Sequence, residues 1–198
     1  LRVTFDENWQ MVSIFDKRAC REVLKKGTVG NELRVHADYP DQYDAWQWQP
    51  HSREEYKTIT DVSRVEFVED GVRRGITIVR PFMKSTLKQT IWFYENVCRS
   101  DFDTTIDWHN KHQMLKTVFP VDVNTNKATF DVQFGTVERP THMNTSWDTA
   151  RFEVCAHKFA DISEGGYGVS LMNDCKYGHD IHDGVMQLSL LRSPTYPY

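Results

Sequence analysis

Long apolar runs are missing from this sequence. The longest are a few residues, too short to span a bilayer, so no membrane partner is expected. A basic excess is missing too. The 24 Lys and Arg against 28 Asp and Glu leave a net charge of −4, which argues against nucleic acid or an anionic membrane surface as partner. Cysteine is sparse: Cys20, Cys98, Cys155 and Cys175 stand at wide, irregular gaps with no CxxC. That spacing excludes a zinc knuckle, and the count is low for a disulfide scaffold. Buried free thiols in a reducing compartment are the expectation. No basic-then-apolar leader is visible at Leu1, so no signal peptide is expected. No GxSxG elbow, Walker loop, GxGxxG or HExxH occurs, and no self-sufficient catalytic centre is expected. No repeat, low-complexity tract or Pro/Gly/Ser linker divides the chain.

What remains is a folding composition. The chain has 198 residues, 39% hydrophobic and 26% charged, and is read as one domain spanning 1–198. A chain this long buries roughly 70% of its unfolded surface and needs no staple. Its aromatics are plentiful (11 Phe, 8 Tyr, 6 Trp), and many sit among polar neighbours.

Most of the chain patterns as strands. Arg2–Phe5 and Met11–Phe15 flank a turn at Asp6-Glu7-Asn8. Ser63–Val68 and Val72–Arg80 flank Glu69-Asp70-Gly71, and Asp-Gly between β-branched runs is a strong hairpin signal. Val72, Ile76 and Ile78 interleaved with Arg73, Arg74 and Thr77 point to one wet face. Further strands are predicted over Ser85–Val97, Thr104–Trp108, Thr117–Val123, Ala128–Phe134, Arg151–Val154, Gly168–Met172 and Val185–Leu191. Phe67, Phe130 and Phe134 are assigned to the core. Asp16–Gly27 is the best helical candidate, with Asp16 to cap it and Gly27 to end it. Many strands with little helix imply an all-β fold, a large, mostly antiparallel β-sandwich.

Four segments break the alternation: Asp38–Trp46, Asp107-Trp108-His109, Arg139–Asp148, and Asn173–Asp180. They mix Trp and Tyr with Asp, Asn, Lys and His, the residues sugar sites use. Aromatic faces stack on pyranose rings while polar groups bind hydroxyls. The bland alternative is ordered loops that satisfy buried backbone, with Trp residues plugging the sandwich ends. His109/His112 and His179/His182, each three apart beside carboxylates, are candidate zinc ligands by residue type. Residues three apart on a strand point to opposite faces, so no metal ligand is assigned. No pair among the 28 acidic residues is singled out for glycosidic acid/base work.

These segments also carry a family resemblance. Asp38-Tyr-Pro with Tyr43-Asp-Ala-Trp46, Asp107-Trp-His109, Leu115-Lys116 with Phe119-Pro-Val121, Phe134 through His142, Asn144-Thr-Ser-Trp-Asp148, Arg151-Phe-Glu153, Ala156-His-Lys158, Asn173 through Gly178 and Leu190-Leu-Arg-Ser-Pro194 occur in order over essentially the whole chain. The series resembles the C-terminal region of α-mannosidases of glycoside hydrolase family 38, and is most similar to the cytosolic and bacterial branch. It departs from the family pattern at Asn110, Met143, Gln47 and Phe159.

The resemblance implies a β-supersandwich of the galactose-mutarotase-like kind, cut from a longer multidomain enzyme. In such a parent an N-terminal α/β domain carries the zinc, the nucleophilic Asp and the acid/base carboxylate. No catalytic residue and no cofactor is therefore assigned to this chain. The implied partners are that missing domain, a mannose-containing glycan, and a second copy through surface left exposed by the cut. The implied location is cytoplasmic. Asp44, Trp46, Asp107, His109, Trp147, Lys176, Tyr177 and Asp180 are the candidate substrate-wall residues. The alternatives are a free-standing carbohydrate-binding module, a purely structural buttress, or a metal-dependent hydrolase built on the histidine pairs.

Overall fold

The computed structural model describes residues 1–194. Its sheets are antiparallel throughout their named pairings. A three-stranded sheet holds β1 (Arg2–Phe5), β2 (Met11–Asp16) and β3 (Arg21–Glu22). β4 (Glu32–Ala37) and β5 (Tyr56–Thr58) form one flank of a six-stranded sheet. A four-stranded meander follows: β6 (Arg64–Glu69), β7 (Arg73–Phe82), β8 (Ser85–Tyr94) and β9 (Ser100–Asp107). β10 (Gln113–Pro120) returns to the six-stranded sheet. β11 (Lys127–Val132), β12 (Gly135–Pro140), β14 (Phe159–Glu164) and β15 (Tyr167–Met172) make a second four-stranded sheet. β13 (Val154–Cys155), β16 (Gly178–His182) and β17 (Val185–Arg192) complete the six-stranded one, in the order β13-β16-β17-β10-β4-β5.

The sheets pack through two apolar clusters. In the larger, Ile14 of β2, Ile76 of β7, Phe130 of β11, Ile162 of β14 and Met186 of β17 meet, so all four sheets share one core. In the smaller, Leu33, Val35 and Leu115 of the six-stranded sheet pack on Phe82 and Leu87 of the meander. β10 lies between β17 and β4 and is buried from Met114 to Pro120. This is sheet-on-sheet packing with paired central strands, an all-β sandwich. No helix among the described residues is long and apolar enough to cross a membrane.

Several expectations need correction. Asp16–Gly27 is not a helix. The Asp16 carboxylate accepts from the amides of Arg18 and Ala19 at 2.8 and 3.2 Å, closing a turn, and the chain enters β3. Local side-chain bonds of this kind compete with helix formation. The one α-helix among the described residues is the single turn α1 (Ser146–Thr149), held by a capping box between Thr145 and Asp148. Phe130 is core at 2% exposure, but Phe67 is 79% exposed on edge strand β6 and Phe134 sits in the β11–β12 turn with φ 63°. The wet face of β7 fails at Thr77, which is buried and bonded to Thr90 across the sheet at 2.8 Å. The cysteines are unpaired, yet all four are exposed rather than buried. Three lie in turns and loops, and Cys155 lies on the outermost strand β13. Gly178–Asp180, expected as loop, is part of β16.

Candidate functional site

A cleft of about 600 Å³ opens over β10, β17 and the start of β16. Behind its lining residue Glu153 stands the one charged side chain of β10. Lys116 is fully buried on β10, donates to the Glu153 carboxylate, and lies 4.3 Å from the Trp48 ring centroid. The Ser189 hydroxyl donates to the other oxygen of Glu153 at 2.6 Å. Opposite stands Gly178, where a Cβ would meet Glu153 Oε1 at 2.8 Å and Ser189 Cβ at 2.9 Å. Only glycine leaves room for this carboxylate. Trp48 also packs on Phe152 at 5.8 Å and edge-on to His36 at 5.8 Å.

One wall is the loop 38–48, and Arg192 at the end of β17 organises it. Its guanidinium forks onto the buried Asp38 carboxylate at 2.7 and 3.0 Å and donates to the carbonyls of Ala45, Asp44 and Gln47. This is the bidentate geometry only arginine provides. The loop carries Trp46 to the cleft rim, 64% exposed, with its ring centroid 6.0 Å from Tyr43. Asp44 lies 3.6 Å from His112, whose ring stacks on Tyr39 at 4.9 Å. The facing wall is the turn before β16. The Asn173 side chain accepts from the Lys176 amide at 2.6 Å, and Tyr177 stands edge-on to His157 at 5.7 Å.

The structure therefore brings Trp46, Lys176 and Tyr177 to one cleft, with Asp44 in the loop behind it. Trp147 projects from α1, 77% exposed, just before the lining residues Ala150 and Phe152. Asp107 and His109 pair at 2.9 Å at the far end of β9, on the meander, and are not among the cleft-lining residues. Asp180 is buried on β16. It takes a fork from Arg53 at 2.9 and 3.2 Å, a 2.5 Å hydrogen bond from His182 and a weaker one from Gln187. Burial alone raises the Asp180 carboxyl. The His182 bond and the charges of Lys116 and Arg53 more than offset this, leaving it below the ordinary aspartate value.

Sequence reasoning does not single out Glu153, Lys116, Ser189 or Arg192 as site residues. The available signal is Lys116 itself, one charge inside Met114–Pro120. Among the described residues no group of three or more His, Cys, Asp or Glu side chains is placed to hold a metal, and members of the second histidine pair have other partners. His179 Nδ1 bonds the Tyr177 carbonyl, and His182 bonds Asp180.

The family model for the glycosyl hydrolases family 38 C-terminal domain matches residues 1–198. Alpha-mannosidase G of Dictyostelium discoideum is 38% identical over 204 aligned residues, covering 100% of this chain and 19% of that protein. Human alpha-mannosidase 2C1 is 37% identical, again over 100% of this chain and 19% of the relative. The chain thus spans about a fifth of the length of these relatives. The crystal structure of an alpha-mannosidase from Enterococcus faecalis V583 shares the fold with a TM-score of 0.78 at 15% identity, over 96% of this chain and 24% of that one. The chain belongs to glycosyl hydrolase family 38, as its C-terminal domain.

Proposed function

We propose that this chain is the C-terminal sandwich of a longer α-mannosidase-like retaining glycoside hydrolase acting on mannose-containing glycans in the cytoplasm. It supports an N-terminal catalytic domain of the same polypeptide and lines that domain's substrate site. The observation that carries this reading is the match to the C-terminal family model along the whole chain, together with relatives named alpha-mannosidases that are about five times longer. The cleft adds chemical support. Trp46 and Tyr177 hold apolar faces in water, 64% and 57% exposed, beside the Lys176 ammonium and the Glu153 carboxylate. Stacking faces next to charged hydrogen-bonding groups suit a pyranose.

The donor set of the described residues does not fit zinc, so no metal step is assigned to the sandwich. In this proposal zinc, nucleophile and acid/base belong to the catalytic domain, and the sandwich contributes binding and orientation. The test is the full polypeptide with p-nitrophenyl α-mannoside and α-mannobiose. Trp46→Ala and Tyr177→Ala are each expected to lower kcat/KM by about tenfold, mostly through KM, the scale of one lost stacking contact. A full polypeptide without α-mannosidase turnover overturns the enzyme reading. Unchanged kinetics in both variants overturn the wall role.

A further inference from the structure

We infer that Glu153 is the polar anchor of the cleft, a substrate-contacting carboxylate that accepts hydrogen bonds from hydroxyls of a pyranose stacked at the aromatic rim. The inference rests on the proposed mannosidase reading and goes beyond it by naming the residue that orients the sugar.

The geometry is that of a group held in place. Each oxygen of Glu153 takes one bond from the protein: Oε2 from the buried Lys116 ammonium, Oε1 from the Ser189 hydroxyl. A carboxylate has about four acceptor positions, so each oxygen keeps one for a ligand. The side chain is 20% exposed and lines the cleft, while Lys116 below it is fully enclosed, so the remaining acceptors are those on the open side. The bare Cα of Gly178 gives it space on one flank. Such fixing means that little side-chain freedom is lost when a ligand binds. A lysine enclosed in a core strand is costly to bury, and a core leucine would stabilise the sandwich as well or better. Its presence there is accounted for by the Glu153 carboxylate it holds in an open cleft. Hydroxyls donating to a charged acceptor form strong, short bonds, and Trp46 and Tyr177 supply the apolar surface for the ring.

The experiment compares Trp46→Ala, Glu153→Gln and the double variant Lys116→Met/Glu153→Gln in the full polypeptide, with KM and kcat for α-mannobiose and thermal midpoints for each. The double variant removes both charges of the pair and leaves no buried ammonium unpaired, so it keeps the test alive if Glu153→Gln alone fails to fold. The expected result is a rise in KM for Trp46→Ala and a roughly 10- to 100-fold loss of kcat/KM in folded variants lacking the carboxylate, carried by KM. If Trp46→Ala raises KM but the folded carboxylate variants match wild type, the anchor role is wrong and the cleft reading stands. A lower thermal midpoint with unchanged KM means that Glu153 only neutralises Lys116, which also overturns it. If Trp46→Ala and Tyr177→Ala are silent as well, the cleft holds no sugar, and the wall role and the anchor role both fall.

Discussion

The ring of His36 lies at 1% exposure between Trp48 and Tyr56, with centroids 5.8 and 5.3 Å away. A carbonyl can only accept, so Nδ1 carries the proton it gives to Ser52 at 2.9 Å. Nε2 is then buried with no partner among the described residues, and a second proton there would have no acceptor. Burial pushes the His36 pKa down to about 4, and the charges of Lys116 and Arg34 act in the same direction against the Ser52 bond. Between pH 4 and the ordinary value of 6.5 the unfolded chain therefore binds a proton that the folded chain refuses. Stability falls as pH drops through that window and levels off below it, by roughly 3 kcal/mol for this group. His179 is shifted down by burial too and adds to the same slope. Asp180, held below its ordinary 3.8, loses its contribution only at lower pH. Urea midpoints from pH 7 to 4 are expected to decline in wild type and to decline less in His36→Phe. Equal slopes would overturn this assignment. At this scale the sequence shows a residue's type but not its enclosure. Asp180 has the residue type of a sugar contact and is enclosed by Arg53, His182 and Gln187. Glu153, by type alone, is one carboxylate among many.

Elements are legible where the signal is local. The hairpins at Asp6–Asn8 and at Glu69–Gly71 appear with nearly the expected bounds. β16 reads as loop in the sequence although Asp183-Gly184, both with positive φ, makes a two-residue turn into β17. His179, Asp180 and His182 mask the apolar pattern: inside the fold His179 Nδ1 bonds the Tyr177 carbonyl and His182 bonds Asp180. The loop 38–48 is irregular, as its pattern predicts, but its shape is dictated from about 150 residues away by Arg192, which no local pattern shows. Lysine at 192 keeps the charge but loses the fork. Arg192→Lys is expected to cost roughly 1–3 kcal/mol in urea unfolding, since Asp38 stays buried with a poorer partner. Amide hydrogen exchange should quicken over residues 43–48 and stay unchanged in β14 and β15. Unchanged protection of that loop in Arg192→Lys would show that Arg192 does not hold it.

For the molecule as a whole, the ordered motif series points to the fold and family correctly, because it samples several of the sheets and the loops between them. In the proposed longer polypeptide, its other domains would act on this surface. Trp46, Trp147, Phe67 and Val72 are 64%, 77%, 79% and 77% exposed, and β6, β9, β12 and β15 are outer strands of their sheets. Large exposed aromatics and open edges are what a domain shows when its neighbours are removed. Two outcomes follow for residues 1–198 expressed alone. The fragment should show no turnover of p-nitrophenyl α-mannoside, since the proposal places nucleophile and acid/base in another domain; measurable turnover would overturn that division of labour. It should also self-associate, with a weight-average mass in light scattering that rises with concentration, and Phe67→Lys should lower that rise by placing a charge on the edge strand β6. A monomer mass independent of concentration would mean that these aromatics are tolerated in water, and the neighbours of the sandwich would then have to be sought on another face.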